Sequence, residues 1–217
     1  MKSFKAALFD LDGTLVDTEH QYTIFWAETG KKYRADVPNL AQAIKGTTLV
    51  QIFQRYFPDK QWQREITEAL DRWEARMTYD IIPGALDFVR DIRSHGVKCA
   101  IVTSSNIKKM DVFRNRQPEF CALFDRILTS EDFAASKPNP GCYLKGAETF
   151  GCTIDECVVF EDAFTGLQAG MSAGIFTVGL TTYNSREAIS SLCNYAIDNF
   201  VGLTYDGVTD ILDSHSG

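Results

Sequence analysis

Short apolar runs that alternate with segments of helical spacing are the feature that most restricts the fold of this chain. The runs with the length of a buried strand are residues 5–9, 97–102, 124–128, 157–160, 174–178 and, more weakly, 195–197. Helical spacing occupies residues 84–95, 107–115, 142–150 and 165–173. Continuous apolar runs indicate strands buried on both faces, as in a parallel sheet. Because strands alternate with helices, we expect a doubly wound parallel sheet of the α/β class.

Residues 17–81 are the exception, since they contain no convincing strand. They predict several helices, separated at Pro38 and Pro58, around a small core. The candidates for that core are Trp26, Ile52, Phe53, Tyr56, Trp62, Leu70 and Trp73. We therefore predict a Rossmann-like core of residues 1–15 and 82–217 and an inserted helical cap of residues 16–81, with hinges near residues 15–18 and 80–84.

Composition excludes several classes of function. The chain has 217 residues and a formal net charge of -7, which argues against a nucleic-acid surface but not against an anionic substrate bound beside a metal ion. Neither a signal peptide nor a membrane span is predicted. The six cysteines lack a C-x-x-C pair and are expected to be reduced, mostly buried thiols. We expect a cytoplasmic protein that does not bind membranes, and a monomer by default.

Polar side chains follow several of the predicted strands. In open α/β sheets, ligands bind beyond the carboxyl ends of the strands, which is where these side chains are expected to lie. The segments after successive strands are Asp10-Leu11-Asp12-Gly13-Thr14, Thr103-Ser104-Ser105-Asn106, Ser136-Lys137-Pro138-Asn139-Pro140 and Glu161-Asp162. Carboxylates, hydroxyls and a lysine are therefore expected to converge on one edge of the sheet.

The carboxylates suit magnesium and phosphate chemistry. Asp10 and Asp12 are two residues apart, so an extended segment places both side chains on one face. Carboxylates held close together repel each other, and Mg²⁺, which prefers oxygen ligands, stabilises them. Asp162 would supply another carboxylate from the neighbouring strand. One carboxylate can then attack phosphorus while the other transfers protons.

The remaining candidates have alternative explanations. Lys137 and Thr103 are expected to hold phosphoryl oxygens, with Ser104 nearby. Thr103 could also cap the helix that begins near Asn106, and the two roles are compatible. Glu161 and Asp162 could be an acidic pair at a helix start, and Glu161 could be a metal ligand or a group that supports the ligands. In the cap, Glu19 and Lys45 are weaker candidates for substrate contact.

These segments resemble the four motifs of the haloacid dehalogenase-like hydrolase superfamily, in order and over nearly the whole chain. The matching residues are Asp10-x-Asp12-Gly13-Thr14-Leu15-Val16-Asp17-Thr18, the hydroxyl of Thr103, Lys137 in Ser-Lys-Pro-Asn-Pro, and Glu161-Asp162-Ala163-x-x-Gly166. The resemblance implies that Asp10 is the nucleophile and Asp12 the general acid and base. It also implies that Mg²⁺ binds Asp10, the Asp12 carbonyl and Asp162, and that Thr103 and Lys137 bind phosphate.

The chain most resembles the subgroup with a helical cap between the first two motifs. That subgroup includes phosphoglycolate phosphatase, sugar-phosphate phosphatases and β-phosphoglucomutase. True dehalogenases lack a carboxylate at the place of Asp12, which disfavours dehalogenation. The mutase cap resembles Lys45-Gly46-Thr47-Thr48, but Leu49 stands where the mutase has an arginine for a second phosphate.

We therefore expect a Mg²⁺-dependent phosphatase that hydrolyses a small phosphate monoester, with a sugar phosphate ahead of phosphoglycolate. One alternative is phosphoryl transfer of the β-phosphoglucomutase type. Another, of a different class, is a catalytically silent metal-binding or regulatory protein.

Overall fold

A computed structural model describes residues 3–45 and 47–215 of the chain. Its strands, in chain order, are β1 (Ala6–Phe9), β2 (Val16–Asp17), β3 (Asp80–Ile81), β4 (Lys98–Val102), β5 (Arg126–Leu128), β6 (Cys157–Glu161), β7 (Phe176–Leu180) and β8 (Tyr195–Ile197). Its helices are α1 (Glu19–Tyr33), α2 (Leu40–Ala43), α3 (Leu49–Tyr56), α4 (Lys60–Glu74), α5 (Ala85–Ser94), α6 (Ile107–Arg116), α7 (Pro118–Cys121), α8 (Gly141–Phe150), α9 (Phe164–Ser172), α10 (Arg186–Ile189) and α11 (Tyr205–Ser214).

The main sheet is parallel, with strand order β5-β4-β1-β6-β7-β8. Each residue of β1 is buried because helices cover both faces of the sheet. Phe9 points to the face where α5 and α6 pack, and its ring stacks on that of Phe160 with centroids 4.8 Å apart. Leu8 points to the opposite face, beneath α8 and α9. The α/β doubly wound fold predicted from the sequence is confirmed.

The pairing of the central strands determines which residues meet at the end of the sheet. Strands β1 and β6 are neighbours with parallel register, and Phe9 pairs with Phe160. The chain therefore leaves β1 at Asp10 beside the end of β6, where Glu161 and Asp162 lie. The sequence indicated that the strand ends at residue 160 and that Glu161 follows it. In the structure, Glu161 is the last residue of β6.

Helices α1 to α4 form a separate apolar cluster with its own core. Trp26, Ile52 and Leu70 are buried in it, and the other predicted core residues, Phe53, Tyr56, Trp62 and Trp73, pack against it half-buried. The expectation that residues 17–81 contain no strand was wrong at both ends. Val16–Asp17 pairs antiparallel with Asp80–Ile81, so a two-stranded ladder lies where the chain enters and leaves the helical region.

The cysteines are free thiols, as expected. Over residues 3–45 and 47–215, the helices are too short or too polar for any of them to span a bilayer.

Candidate active site

Asp10 lies at the end of the central strand, at the floor of a cleft. Its backbone N–H donates to the carbonyl of Phe160 at 3.0 Å, which continues the ladder between β1 and β6. Its carboxylate accepts a hydrogen bond at Oδ1 from Lys137 Nζ at 2.6 Å. The same ammonium donates to Glu161 Oε1 at 2.7 Å and to the carbonyl of Val102 at 3.1 Å. Lys137, which follows β5, is thus brought to the edge formed by β4, β1 and β6.

Asp10, Glu161 and Asp162 form an acidic cluster whose members each offer an oxygen within 4.8 Å of the others. Asp162 Oδ1 accepts from Thr14 Oγ1 at 3.0 Å. Glu161 Oε2 accepts from the backbone N–H groups of Asp162 and Ala163, both at 2.8 Å. Buried hydrogen bonds of this kind fix the carboxylates in place.

The cluster carries more negative charge than its cation offsets. Burial raises the pKa of Asp10, although the positive charge of Lys137 lowers it in part. Burial also raises the pKa of Asp162, and the carboxylates of Glu161 and Asp10 raise it further. Two of the three carboxylates, those of Asp10 and Glu161, pair with the one ammonium, and the ligand atoms of all three are oxygens. This donor set fits a divalent cation that prefers oxygen ligands.

The Asp12 side chain makes a different set of contacts. Its Oδ1 accepts from Thr18 Oγ1, and its Oδ2 accepts from Ser105 Oγ at 3.0 Å and from Lys109 Nζ at 2.6 Å. Burial alone would raise the pKa of Asp12, but Lys109 and the two hydroxyls outweigh it, so the pKa is lowered. The structure therefore gives the two aspartates of the first segment distinct environments, which suits distinct roles.

Thr103 and Ser104 line the same cleft as Asp10 and Asp12. Thr103 is fully buried, and its Oγ1 accepts from the N–H of Ser105 at 3.0 Å. The idea that Thr103 caps the next helix was wrong, because the N-cap of α6 is Asn106, whose Oδ1 accepts from the N–H of Lys109 at 2.9 Å.

The cleft is a cavity of about 710 Å³ between the sheet edge and the helical region. Glu19 and Lys45 both line it and form an ion pair with Oε2 and Nζ 3.1 Å apart. The Lys45 ammonium also lies 5.2 Å from the ring centroid of Tyr183, whose hydroxyl donates to Asp17 Oδ1. Gly46, the next residue of the segment that resembles the mutase cap, lies outside the described residues.

Sequence reasoning missed several residues of the site. Lys109 is the most important, because its neighbour Lys108 looks identical in the sequence and only the helical phase separates them. Met110 and Phe113 are buried, and a helix places Lys109 on the same side as Phe113. Ser105 belongs to a segment that was predicted to reach the site, although no role was assigned to it. The other missed residues come from separate segments that only the tertiary structure brings to the site: Tyr22, Glu74 and Tyr183.

Comparison with known proteins adds independent information. One relative is validoxylamine A 7'-phosphate phosphatase of Streptomyces hygroscopicus subsp. limoneus, 30% identical over 200 residues that cover 86% of this chain and 90% of that protein. Another is the chloroplastic protein SUPPRESSOR OF QUENCHING 1 of Arabidopsis thaliana, 29% identical over 221 residues. That alignment covers 97% of this chain but only 21% of that protein, so the chain spans about a fifth of that relative's length.

Solved structures share the fold over nearly the whole chain. A hydrolase of family IA, variant 3, from Entamoeba histolytica superposes with a TM-score of 0.83 at 24% identity, covering 97% of this chain and all (100%) of that one. The β-phosphoglucomutase of Clostridium difficile superposes with a TM-score of 0.82 at 22% identity, covering 98% of each chain. One family model matches residues 7–180, a segment that contains Asp10, Lys137 and Asp162. The chain belongs to the haloacid dehalogenase-like hydrolase family.

Proposed function

We propose that the chain hydrolyses a small phosphate monoester through a covalent phosphoryl intermediate on Asp10. The observation that carries the proposal is the position of the Asp10 carboxylate. It lines the cavity, accepts a hydrogen bond from the Lys137 ammonium and lies close to the carboxylates of Glu161 and Asp162, while Asp12 has a separate set of donors. The relative with 30% identity is named as a phosphatase of a phosphate ester, which supports the hydrolysis of such an ester here.

In the first step, an Asp10 oxygen attacks phosphorus and the bond from phosphorus to the ester oxygen breaks. The departing alcohol oxygen takes a proton from the Asp12 carboxyl group, which leaves Asp12 as a carboxylate and Asp10 as an aspartyl-phosphate.

In the second step, a water oxygen attacks the phosphorus of the aspartyl-phosphate and gives its proton to the Asp12 carboxylate. The bond between phosphorus and the Asp10 oxygen breaks, inorganic phosphate leaves, and the Asp10 carboxylate is regenerated. Asp12 ends the cycle protonated, as it began. Because Lys109, Thr18 and Ser105 lower the pKa of Asp12 in the substrate-free site, this proton arrives with the monoanionic form of the phosphate ester and leaves with inorganic phosphate.

The other residues have supporting roles in this proposal. Lys137, with Thr103 and Ser104, holds the phosphoryl oxygens as charge shifts between them. Mg²⁺ is the cation assigned to Asp10, the Asp12 carbonyl, Asp162 and Glu161, and when bound it offsets the negative charge of the carboxylates and the phosphoryl group.

The cavity favours a substrate with one phosphate and a neutral remainder. Among the described residues that line it, the lysines each have a carboxylate partner: Lys45 with Glu19, Lys109 with Asp12, and Lys137 with Asp10 and Glu161. Leu49 lines the wall where a second phosphate would need an arginine. A sugar or polyol phosphate, whose hydroxyls can bind Glu19 and Lys45, fits this lining.

The test is phosphate release from sugar phosphates, polyol phosphates, phosphoglycolate and nucleotides, with Mg²⁺ and with a chelator. We expect chelator-sensitive release from the sugar or polyol esters. Asp10→Asn removes the nucleophile without changing its size and should lower the rate at least about 1,000-fold. Asp87→Asn, at an exposed aspartate of α5, is the matched control and should behave as wild type.

The alternatives predict other outcomes of the same assay. A mutase would release no phosphate but would convert β-glucose 1-phosphate to glucose 6-phosphate in the presence of a bisphosphate primer. Activity that survives Asp10→Asn would contradict the covalent mechanism, and silence in both assays would favour a non-enzymatic protein.

A further inference from the structure

Lys109 is a buried cation to which the proposed reaction assigns no task. Its side chain is 5% exposed, and its Nζ lies 2.6 Å from Asp12 Oδ2. Removing an ammonium from water is costly unless a paired charge and hydrogen bonds compensate for it. A lysine at this place therefore indicates a purpose that an apolar residue would not serve.

The helix start fixes the direction of this side chain. Asn106 caps α6 by accepting from the N–H of Lys109 at 2.9 Å, which sets the first turn. With Met110 and Phe113 buried below α6, the phase of the helix directs Lys109 toward Asp12. Lys108, one residue earlier, is 65% exposed and pairs instead with Asp71 on α4.

Three donors from three segments hold the Asp12 carboxylate. Lys109 and Ser105 donate to Oδ2, at 2.6 and 3.0 Å, and Thr18 donates to Oδ1. Lys109 is the charged member of this set, and hydrogen bonds from a charged donor are roughly twice as strong as neutral ones. It therefore contributes most to the orientation of the carboxylate.

Cap residues hold Lys109 from the other side. The Lys109 ammonium lies 4.4 Å from the ring centroid of Tyr22 on α1. The Tyr22 hydroxyl donates at 2.9 Å to Oε1 of Glu74, a buried carboxylate on α4. The ammonium thus lies between the core carboxylate of Asp12 and an aromatic face of the cap, where cation–π attraction adds to the ion pair.

We propose that Lys109 is a positioning residue for Asp12, which it holds in the orientation that transfers protons, and that Tyr22 and Glu74 of the cap keep Lys109 there. The inference rests on the proposed function, because it concerns the proton transfers of that reaction. Asp12 must deliver a proton to the ester oxygen and later accept one from water, so its carboxyl group has to be aimed at the same point in both steps. Lys109 acts through Asp12 rather than on the phosphoryl group.

Two leaving groups separate this role from phosphate binding. An alkyl phosphate, such as the sugar or polyol ester on which the wild type is active, needs a proton on its leaving oxygen, whereas p-nitrophenyl phosphate needs none. We expect Lys109→Met to lower kcat/KM for the alkyl ester about 10- to 100-fold and for p-nitrophenyl phosphate less than about 3-fold. Because both esters are measured on one preparation, the ratio does not depend on the fraction of protein that is folded.

A double-mutant cycle gives the second readout. Asp12→Asn removes the group that Lys109 positions, so Asp12→Asn with Lys109→Met should be no slower on the alkyl ester than Asp12→Asn alone. Lys108→Met, on the same helix turn but paired outside the cleft, is the matched control and should leave the ratio of the two esters unchanged.

The outcomes are distinct. A selective loss on the alkyl ester together with non-additivity supports the inference. An equal loss on both esters, or additive losses in the cycle, overturns it and leaves Lys109 as a structural or phosphate-binding cation. If the wild type hydrolyses neither ester, the proposed function fails and the inference fails with it, whereas an active wild type with an unchanged ratio refutes only the role of Lys109.

Discussion

At the scale of single residues, the acidic cluster depends on two positions without side chains. A Cβ on Gly13 would lie 2.3 Å from Asp162 Oδ2, and one on Gly166 would lie 1.6 Å from Glu161 Oε1. Gly13 also has a φ of +87°, in the left-handed region that glycine adopts at little cost. The glycines therefore provide the space in which the carboxylates of β6 approach the segment after β1.

Gly13→Ala should remove activity, because the added Cβ displaces Asp162. This effect comes in addition to the loss of stability from backbone strain. Gly96 is a close control, since its φ is +83° and a Cβ there would have no atom within 4 Å. Both alanine variants should lose about 1–2 kcal/mol of unfolding free energy from the left-handed conformation. Only Gly13→Ala should lose phosphate release in addition. Equal activity of the two variants would show that the contact with Asp162 does not matter.

The catalytic candidates were readable from the sequence because each follows a strand, and strand ends in a parallel sheet share one edge. Asp10, Thr103, Lys137 and Asp162 were predicted in this way, and the structure brings them together. Lys109 was not, because nothing in Ile107-Lys108-Lys109 marks which lysine is buried until the phase of α6 and the positions of α1 and α4 are known. Their assigned roles stay predictions.

At the scale of elements, Asp125 joins three segments at the edge of the sheet opposite the site. Its Oδ2 accepts from Arg93 of α5 at 2.6 Å and from the backbone N–H of Cys99 at 3.0 Å, and its Oδ1 accepts from Lys98 at 3.3 Å. Burial would raise the pKa of Asp125, but these donors outweigh it and lower the pKa. A carboxyl group whose pKa is lower in the folded state stabilises the fold when it is ionised.

Asp125→Asn should therefore destabilise the protein in a way that depends on pH. The contribution is complete above the unfolded pKa of about 3.9 and is lost as the pH falls through the lower, folded value. Urea unfolding should show the variant less stable by about 1–2 kcal/mol at neutral pH, with the difference shrinking toward zero as the pH falls through the folded pKa of Asp125. If the variant is less stable by the same amount at neutral and at acidic pH, the ion pairs of Asp125 are not the cause of the loss. The control is Asp87→Asn, measured at the same pH values.

Elements were predictable where they are long or fully buried. The apolar runs of β1, β4 and β6 mark strands because both faces of each are covered. The ladder between Val16–Asp17 and Asp80–Ile81 was missed because two-residue strands have no periodicity, and they pair across more than sixty residues of helical structure. Helix α11 was missed because Gly207 and Thr209 weaken its helical signal.

At the scale of the whole molecule, several buried charged side chains lie in the cleft between the edge of the main sheet and helices α1 to α4. Of a chain with net charge -7, Asp10, Glu161 and Asp162 lie within one cluster with Lys137 as the adjoining cation. Elsewhere in the cleft, Glu19 with Lys45 and Asp12 with Lys109 are balanced pairs. Repulsion within the acidic cluster therefore opposes folding until a cation binds.

Asp162→Asn should consequently make the metal-free protein more stable while removing its response to Mg²⁺. Asparagine has the size of aspartate but no charge, so it relieves repulsion from Glu161 and Asp10 and can still accept from Thr14. In chelator, thermal unfolding should occur at least about 2–4 °C higher in the variant than in wild type, which corresponds to about 1 kcal/mol for a chain of this size. Added Mg²⁺ should raise the wild-type midpoint by mass action and leave that of the variant almost unchanged, because the variant has lost a ligand.

A variant less stable than wild type in chelator would mean that Asp162 contributes more through its hydrogen bond to Thr14 than it costs through repulsion. A wild type indifferent to Mg²⁺ would exclude the cluster as a magnesium site.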